Sequence, residues 1–563
     1  MSRYASPLRH RSRLPRSIRL VRPAEQLADA TRTARALVRS GVFRPGRPDR
    51  LRRAVQAVRH WGPGLAAVFA MGAARHGDLA ALVDERGPLS FSGLDARADA
   101  IARGLIETGV RAGDTVAVLC RNHRYFFEIT GALAKLGANA LYLNTGFAGP
   151  QIADVMHRER AVLLVHDDEF TSMIVDAGLD HRLLAWIDET GPTHDKRAHD
   201  VRTLDDLATR HATGPDLDRP VSPGRTIIMT SGTTGPPKGA MVASAPHVGA
   251  GLALLERLPY RAHEKMLIAA PCFHAWGFAN ASTSLLLGDT MLLERQFDPE
   301  NSLALIARHR AEVFVAIPVM LLRIMELAPE VRTRYDTSSL RFVPLSGSAL
   351  PGDLATRFMD AFGDVVHNLY GSTEVGSVSV AMPADLRAAP TTAGRPPRGT
   401  LVRLLDDNGR EAAPDSSGRI FVRGPLTFSG YTDGRSKSVV DGFMHTGDTG
   451  HFDRDGRLFV DGRDDEMIVS GGENVFPGEV EDVIARHPDV VEAAVIGIPD
   501  PDYGSRLKAF VVARPGTELD ADTVREYVRA NLARFKVPRD VEFIDELPRN
   551  GTGKVLRRNL ESR

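Results

Sequence analysis

The sequence predicts an α/β protein built in two units, and three observations predict it. From about residue 65 onward, short apolar runs alternate with stretches of helical periodicity. Loops rich in Gly, Ser and Thr follow several of those runs, as expected at the strand ends that form a ligand crevice in open α/β sheets. At 563 residues the chain is also too long for one hydrophobic core.

In chain order, residues 1–64 read as a basic arm, disordered or partly helical. Residues 1–60 hold 16 Arg against Glu25, Asp29 and Asp49, a charge of +13 in a chain of net charge zero, so the remainder carries −13. Such an arm can lean on anionic lipid or on another protein, which makes peripheral membrane contact an expectation. Seven arginines before residue 23, with no acid among them, also resemble a targeting peptide, but the Arg/Ala/Gly bias of the whole chain favours the arm.

The large unit, residues 65–464, places a buried strand at 116–119 and then a helix through Phe126, Ile129, Leu133 and Leu136. Residues 227–229, 313–317 and 340–345 read as further strands. An antiparallel-looking stretch follows, with turns at Asp407-Asn408-Gly409, Asp433-Gly434 and Asp455-Gly456. A boundary falls near Arg463 to Asp465. Beyond it, residues 465–563 carry a helix with Val480, Val483 and Ile484 on one face, then strands at 493–498 and 509–513, enough for a small α+β unit.

Composition narrows the function classes. Hydrophobic content of 43% and charged content of 25% describe a soluble globular chain, and no apolar run reaches the roughly 18 residues of a membrane span. Cys120 and Cys272 stand far apart in apolar contexts. That argues against a disulfide framework or a cysteine metal site and fits a reducing cytoplasm. No nucleic-acid partner is expected.

The most telling segment is Thr230-Ser231-Gly232-Thr233-Thr234-Gly235-Pro236-Pro237-Lys238-Gly239, directly after the apolar run at 227–229. Three glycines let backbone N–H groups approach an anion, four hydroxyls add donors, and the lysine supplies a point charge, a combination that suits a triphosphate. It is not the common nucleotide P-loop, because the lysine lacks a preceding Gly and a following Ser or Thr. A second Gly-bracketed lysine stands in Asn550-Gly551-Thr552-Gly553-Lys554. Only 8 of the 71 basic residues are Lys, so two of a scarce residue sit in Gly/Thr loops.

Further strings complete a pattern: Pro271-Cys272-Phe273-His274-Ala275-Trp276-Gly277, Tyr370-Gly371-Ser372-Thr373-Glu374, His445-Thr446-Gly447-Asp448, Gly462-Arg463-Asp464-Asp465-Glu466 and Gly471-Gly472-Glu473-Asn474. With the two lysine loops they resemble, in order, the adenylate-forming superfamily of acyl- and aryl-CoA synthetases, adenylation domains and luciferases. Residues 273–277 and 470–481 look most like bacterial fatty-acyl-CoA synthetases. The resemblance implies a large domain of stacked α/β sheets with a small β-barrel-like part, and a small mobile α+β domain hinged at Asp465.

It also implies roles. Lys554 would bridge a carboxylate and the α-phosphate of ATP, and Lys238 with Thr230, Ser231, Gly232, Thr233, Thr234 and Gly235 would hold the outer phosphates. Glu374 resembles the family's Mg²⁺-associated glutamate. Gly347, Ser348, Ala349, Tyr370, Gly371, Ser372 and Thr373 would surround the nucleotide, with Tyr370 stacking on adenine, while Asp448 and Arg463 would meet the ribose. His274, Trp276 and Phe278 become acyl-pocket candidates; on sequence alone His274 reads as a core histidine. Gly471, Gly472 and Glu473 would flank the coenzyme A arm.

The implied activity joins a medium- or long-chain fatty acid to coenzyme A through an acyl-adenylate. Alternatives are a fatty acyl-AMP ligase loading a carrier protein, and a CoA ligase for an aryl or other carboxylic acid. An adenylate-binding regulatory protein is the non-enzyme alternative, disfavoured by the intact Lys238, Glu374, Asp448, Arg463 and Lys554. Cytoplasmic placement is expected, and oligomeric state is left open.

Overall fold

The computed structural model describes residues 38–41, 47–188, 202–230, 238–242, 255, 257–406, 409–413, 416–424, 428–464, 468–470, 473–500, 504–550 and 553–561. The strands of the first part are β1 (Ala80–Asp84), β2 (Gly87–Ser90), β3 (Thr115–Leu119), β4 (Asn139–Tyr142), β5 (Ala161–His166), β6 (Arg182–Leu184), β7 (Thr226–Thr230) and β8 (Lys238–Val242). Then come β9 (Lys265–Ile268), β10 (Thr290–Leu293), β11 (Val313–Val315), β12 (Val343–Leu345), β13 (Val366–Ser372) and β14 (Gly376–Ala381). The later strands are β15 (Leu401–Leu405), β16 (Gly418–Arg423), β17 (Phe428–Tyr431), β18 (Val439–Val440), β19 (Phe443–Phe452) and β20 (Leu458–Arg463). Past residue 464 lie β21 (Ile468–Ser470), β22 (Glu473–Val475), β23 (Val490–Asp500), β24 (Gly504–Ala513) and β25 (Asp540–Phe543).

A seven-stranded sheet runs β17-β8-β7-β4-β3-β5-β6, parallel from β7 to β6, with β8 and β17 added antiparallel at one edge. A second sheet runs β11-β9-β10-β1-β2, parallel except for β2. All five residues of β3 are buried, because a parallel strand covered on both faces has no solvent side. Its alternation still decides which core each residue enters. Val116 and Val118 join Tyr142, Ile268 and Phe314 between the sheets, while Ala117 and Leu119 join Leu141, Ile227 and Met229 on the other face.

Local signals set the helix ends. Ser90 Oγ accepts the Gly93 N–H at 3.0 Å and starts the helix Phe91–Glu107. The helix Arg124–Leu136 stops at Gly137, whose φ of 75° lies in the left-handed region. Asp298 caps Pro299–His309 by accepting the Asn301 N–H at 2.7 Å.

Two smaller sheets carry site residues: β12-β13-β14, and the antiparallel β15-β16-β19-β18 with β20 on β19. The segment past residue 464 has its own core, in which Val480, Val483 and Ile484 of the helix Pro477–Ala485 pack with Val495, Leu507, Val511, Val524 and Val528. No helix among the described residues is long and apolar enough to cross a membrane.

The two cysteines are buried and free, but they are not remote from each other in space. Asn122, two residues past Cys120, joins their segments by accepting the Cys272 N–H at 2.8 Å and donating to Ile268 O and Ala270 O. Cys120, His123 and Asp167 bring one ligand-type atom each within 4.8 Å of one another. The Asp167 carboxylate is already engaged by His123 Nε2 at 2.8 Å and by the N–H groups of Arg121 (2.8 Å) and Trp186 (3.3 Å), which makes the group a buried hydrogen-bond network.

Candidate active site

The two ends of the long Gly/Thr segment pair with each other: Thr230 closes β7 and stands in register with Lys238, the first residue of β8. Ser231, Gly232, Thr233, Thr234 and Gly235 lie outside the described residues. Lys238 holds its ammonium 5.5 Å from the ring centroid of Tyr431, the last residue of β17, within cation–π range. The Tyr431 hydroxyl donates to Glu374 Oε1 at 2.7 Å, and Ser372 Oγ donates to Oε2 at 2.8 Å. Burial works to raise the Glu374 carboxyl, but the Tyr431 hydrogen bond, the Lys437 charge and Ser372 outweigh it and hold the group below the usual glutamate range.

Tyr370 and Gly371 lie on β13 at a register shift against β14. A Cβ on Gly371 would lie 2.0 Å from Gly376 O, so only glycine fits there. The Tyr370 hydroxyl donates to Asp448 Oδ2 at 2.5 Å, and the Arg463 guanidinium stands 3.5 Å from Oδ1. Asp448 and Arg463 are direct partners across β19 and β20. Burial, and next the negative Asp448, push the Tyr370 phenol well above its ordinary range, so it stays a neutral donor. Gly347, with φ at 100°, turns the chain after β12 and leads into the half-buried Ser348 and exposed Ala349.

His274 is the residue before the helix Ala275–Leu287 and is 9% exposed. Burial lowers it to about 3, so it is neutral, and its Nε2 meets no hydrogen-bond partner among the described residues. Gly277 lets this helix start tight against Pro271, whose carbonyl oxygen would be 2.3 Å from any Cβ there. Trp276 donates its indole N–H to Ala316 O at 3.0 Å, just past β11. Phe278 instead faces Tyr142, with ring centroids 5.2 Å apart. Residues two apart on a helix point some 200° away from each other, so the two rings leave the helix in different directions while both pack against the same core cluster.

The C-terminal lysine arrives on a tight turn. Asn550 N–H donates to Lys554 O and Lys554 N–H to Asn550 Oδ1, both at 2.9 Å, and Arg549 and Val555 bridge its base. Gly553 has φ at 76°, and a Cβ on it would lie 2.6 Å from Val319 Cγ1 and 2.9 Å from Ile317 Cδ1. Lys554 therefore enters beside the strand end where Trp276 is anchored. Asp465, Gly471 and Gly472 lie outside the described residues; the Glu473 backbone pairs with Ser470 in β22.

Sequence reasoning missed Tyr431, Thr432 and Lys437. Thr432 donates to Glu159 Oε1 at 2.8 Å, and Lys437 donates to Thr446 O. The lysine scarcity that distinguishes Lys238 and Lys554 applies equally to Lys437.

Residues 69–432 match the AMP-binding enzyme family, and residues 479–554 match the AMP-binding enzyme C-terminal domain. A feruloyl-CoA synthase of Amycolatopsis sp is 33% identical over 87% of this chain and 95% of its own length. An indoleacetate–CoA ligase of Aromatoleum aromaticum is 32% identical over 83% of this chain and 91% of its own. Among solved structures, the anthranilate CoA ligase AuaEII in complex with anthranoyl-AMP superimposes with a TM-score of 0.79 at 25% identity, covering 89% of this chain and 96% of that one. With the ordered motifs and the two-part fold, these matches establish that the chain belongs to the adenylate-forming AMP-binding enzymes.

Proposed function

We propose that this chain is an AMP-forming acid–CoA ligase, which turns a carboxylic acid and ATP into an acyl-adenylate and pyrophosphate and then passes the acyl group to the thiol of coenzyme A. The observation that carries this reading is the seating of the Lys554 turn on Ile317 and Val319, next to Ala316, whose carbonyl holds the Trp276 indole. A carboxylate attacking an α-phosphate brings two anions together. At about 4 Å and an effective dielectric near 20 they repel by roughly 4 kcal/mol, close to three powers of ten in rate. Lys554 offsets that repulsion at the reacting atoms.

Lys238, with residues 230–235, holds the outer phosphates. Tyr370 faces adenine, Asp448 and Arg463 take the ribose, and residues 347–349 and 371–373 line the nucleotide. The Glu374 carboxylate fits Mg²⁺: it is buried and kept ionised, and one donor on each oxygen leaves lone pairs for a hard cation. Bound there, the ion would neutralise phosphate charge. After adenylation, rotation at Asp465 would withdraw Lys554 and bring residues 471–473 to the thiol path.

For the acid, we infer a ring-bearing or otherwise bulky apolar carboxylic acid ahead of an unbranched fatty acid. Feruloyl and indoleacetate ligases among the relatives support it, as does the aromatic face that the Ala316 hydrogen bond holds in place on Trp276. The fatty-acid reading keeps the support of residues 273–277. ATP–pyrophosphate exchange across acids from acetate to oleate, benzoate, ferulate and indoleacetate, with and without coenzyme A, separates them. A peak on the aromatic acids with thioester product is expected, and a peak on C8–C18 acids restores the fatty-acid reading. Exchange without thioester points to carrier loading instead, and exchange with no acid overturns the ligase reading.

For the arm, peripheral attachment of a cytoplasmic enzyme draws support from the helix Pro48–Trp61. It exposes Leu51, Val55 and Val58 beside Arg52 and Arg59. Co-sedimentation with anionic but not neutral vesicles is the expected result; equal recovery with both removes that reading.

A further inference from the structure

One strand pairing ties together the two charged corners of the site. Tyr431 on β17 stands opposite Ala240 on β8, two residues past Lys238, and the next residue, Thr432, donates its N–H to Gly239 O at 2.9 Å. The backbones run so close that a Cβ on Gly239 would meet Thr432 Oγ1 at 2.8 Å. This pairing fixes where the Tyr431 ring sits. Its face receives the Lys238 ammonium at 5.5 Å, and its hydroxyl donates to Glu374 Oε1 at 2.7 Å. Glu374 comes from the turn between β13 and β14, a different sheet. The ring is only 7% exposed, so water competes weakly for either contact.

We propose that Tyr431 is a positioning residue that couples the triphosphate lysine Lys238 to the metal-holding carboxylate Glu374. The inference rests on the assignments of those two residues under the function proposed above. The hydroxyl gives Glu374 Oε1 one fixed donor, as Ser372 does for Oε2, so the carboxylate plane is set from both sides before any cation arrives. The ring face limits where the Lys238 ammonium can rest, and a preset cation loses less freedom when the phosphates bind. Nucleotide and metal sites are therefore linked through one side chain.

The test compares Tyr431→Phe, Tyr431→Leu and Glu374→Gln by calorimetric titration of ATP, once with graded Mg²⁺ and once in EDTA, alongside the melting temperature. Tyr431→Phe keeps the ring and loses the hydroxyl. Its Mg²⁺ requirement for ATP binding should rise about tenfold, the low end for loss of a group supporting a metal ligand, while affinity in EDTA stays unchanged. Tyr431→Leu also loses the ring and should weaken ATP binding in EDTA as well. A lower melting temperature for Tyr431→Phe with unaltered Mg²⁺ dependence would show a merely structural residue and overturn the proposal. If Glu374→Gln shifts the Mg²⁺ dependence and Tyr431→Phe does not, the coupling fails while the metal assignment stands. If neither shifts it, the metal assignment fails and takes the coupling with it.

Discussion

At the nucleotide corner, Tyr370, Asp448 and Arg463 all stand on strands, and the register of β19 on β20 sets Asp448 directly across from Arg463. Lys554 stands instead beside a turn closed by backbone and Asn550 hydrogen bonds, on a segment with a separate core, and Gly553 seats it against Ile317 and Val319. The corner cannot change shape without breaking a sheet. Under the proposed function the turn leaves as a body, since no sheet ladder joins it to the nucleotide corner among the described residues. The proposed two-step reaction would be served by that division, with the nucleotide groups held fixed while Lys554 departs.

The largest break in this comparison comes from the fixed half. Gly371→Val forces a side chain into Gly376 O and should cost about 3 kcal/mol or more of stability, with nucleotide binding lost; thermal unfolding with and without ATP measures both. Asp448→Asn leaves the sheet intact but removes the charge facing Arg463 and the tyrosine hydroxyl. It should raise KM for ATP about 10- to 100-fold with little change in melting temperature. Gly553→Val strikes Val319 and strains a left-handed residue, so it should slow adenylate formation about tenfold and spare thioester formation from supplied acyl-AMP. Equal slowing of both would mean that the turn is as fixed as the corner.

The last effect is one of pH, in the body that supports both halves. Glu294 is buried, which raises it to about 7 against the hydrogen bonds from Ser302 and Asn301. Its folded value lies above its unfolded value, so ionising it disfavours the folded state, and its contribution to stability is lost as pH rises through about 7. Glu294→Gln should remove roughly 1 to 3 kcal/mol of stability difference between pH 5.5 and 8, read from denaturant midpoints at each pH. An unchanged difference would place that pH dependence elsewhere.

What the sequence made legible follows from where information is local. Strands at 116–119 and 227–229 declared themselves by continuous apolar runs, and the helix with Val480, Val483 and Ile484 by its period. Lys238, Glu374, Asp448 and Lys554 stand out because each lies in a short string of Gly, Ser or Thr. The link from Lys238 through Tyr431 to Glu374 was not legible, because it depends on β17 joining an edge strand nearly two hundred residues earlier in the chain. The adjacency of the Cys120 and Cys272 segments was hidden for the same reason. The divergence of Trp276 and Phe278 was available from helix geometry alone, once residue 275 is taken as the first helical position.

The most direct test of the division between a fixed nucleotide corner and a removable lysine is Lys554→Ala assayed on each half-reaction separately. Pyrophosphate exchange should fall by about three powers of ten, while coenzyme A thioester formation from supplied acyl-AMP changes less than tenfold. Equal loss in both half-reactions would contradict it, since Lys554 would then belong to the fixed part of the site.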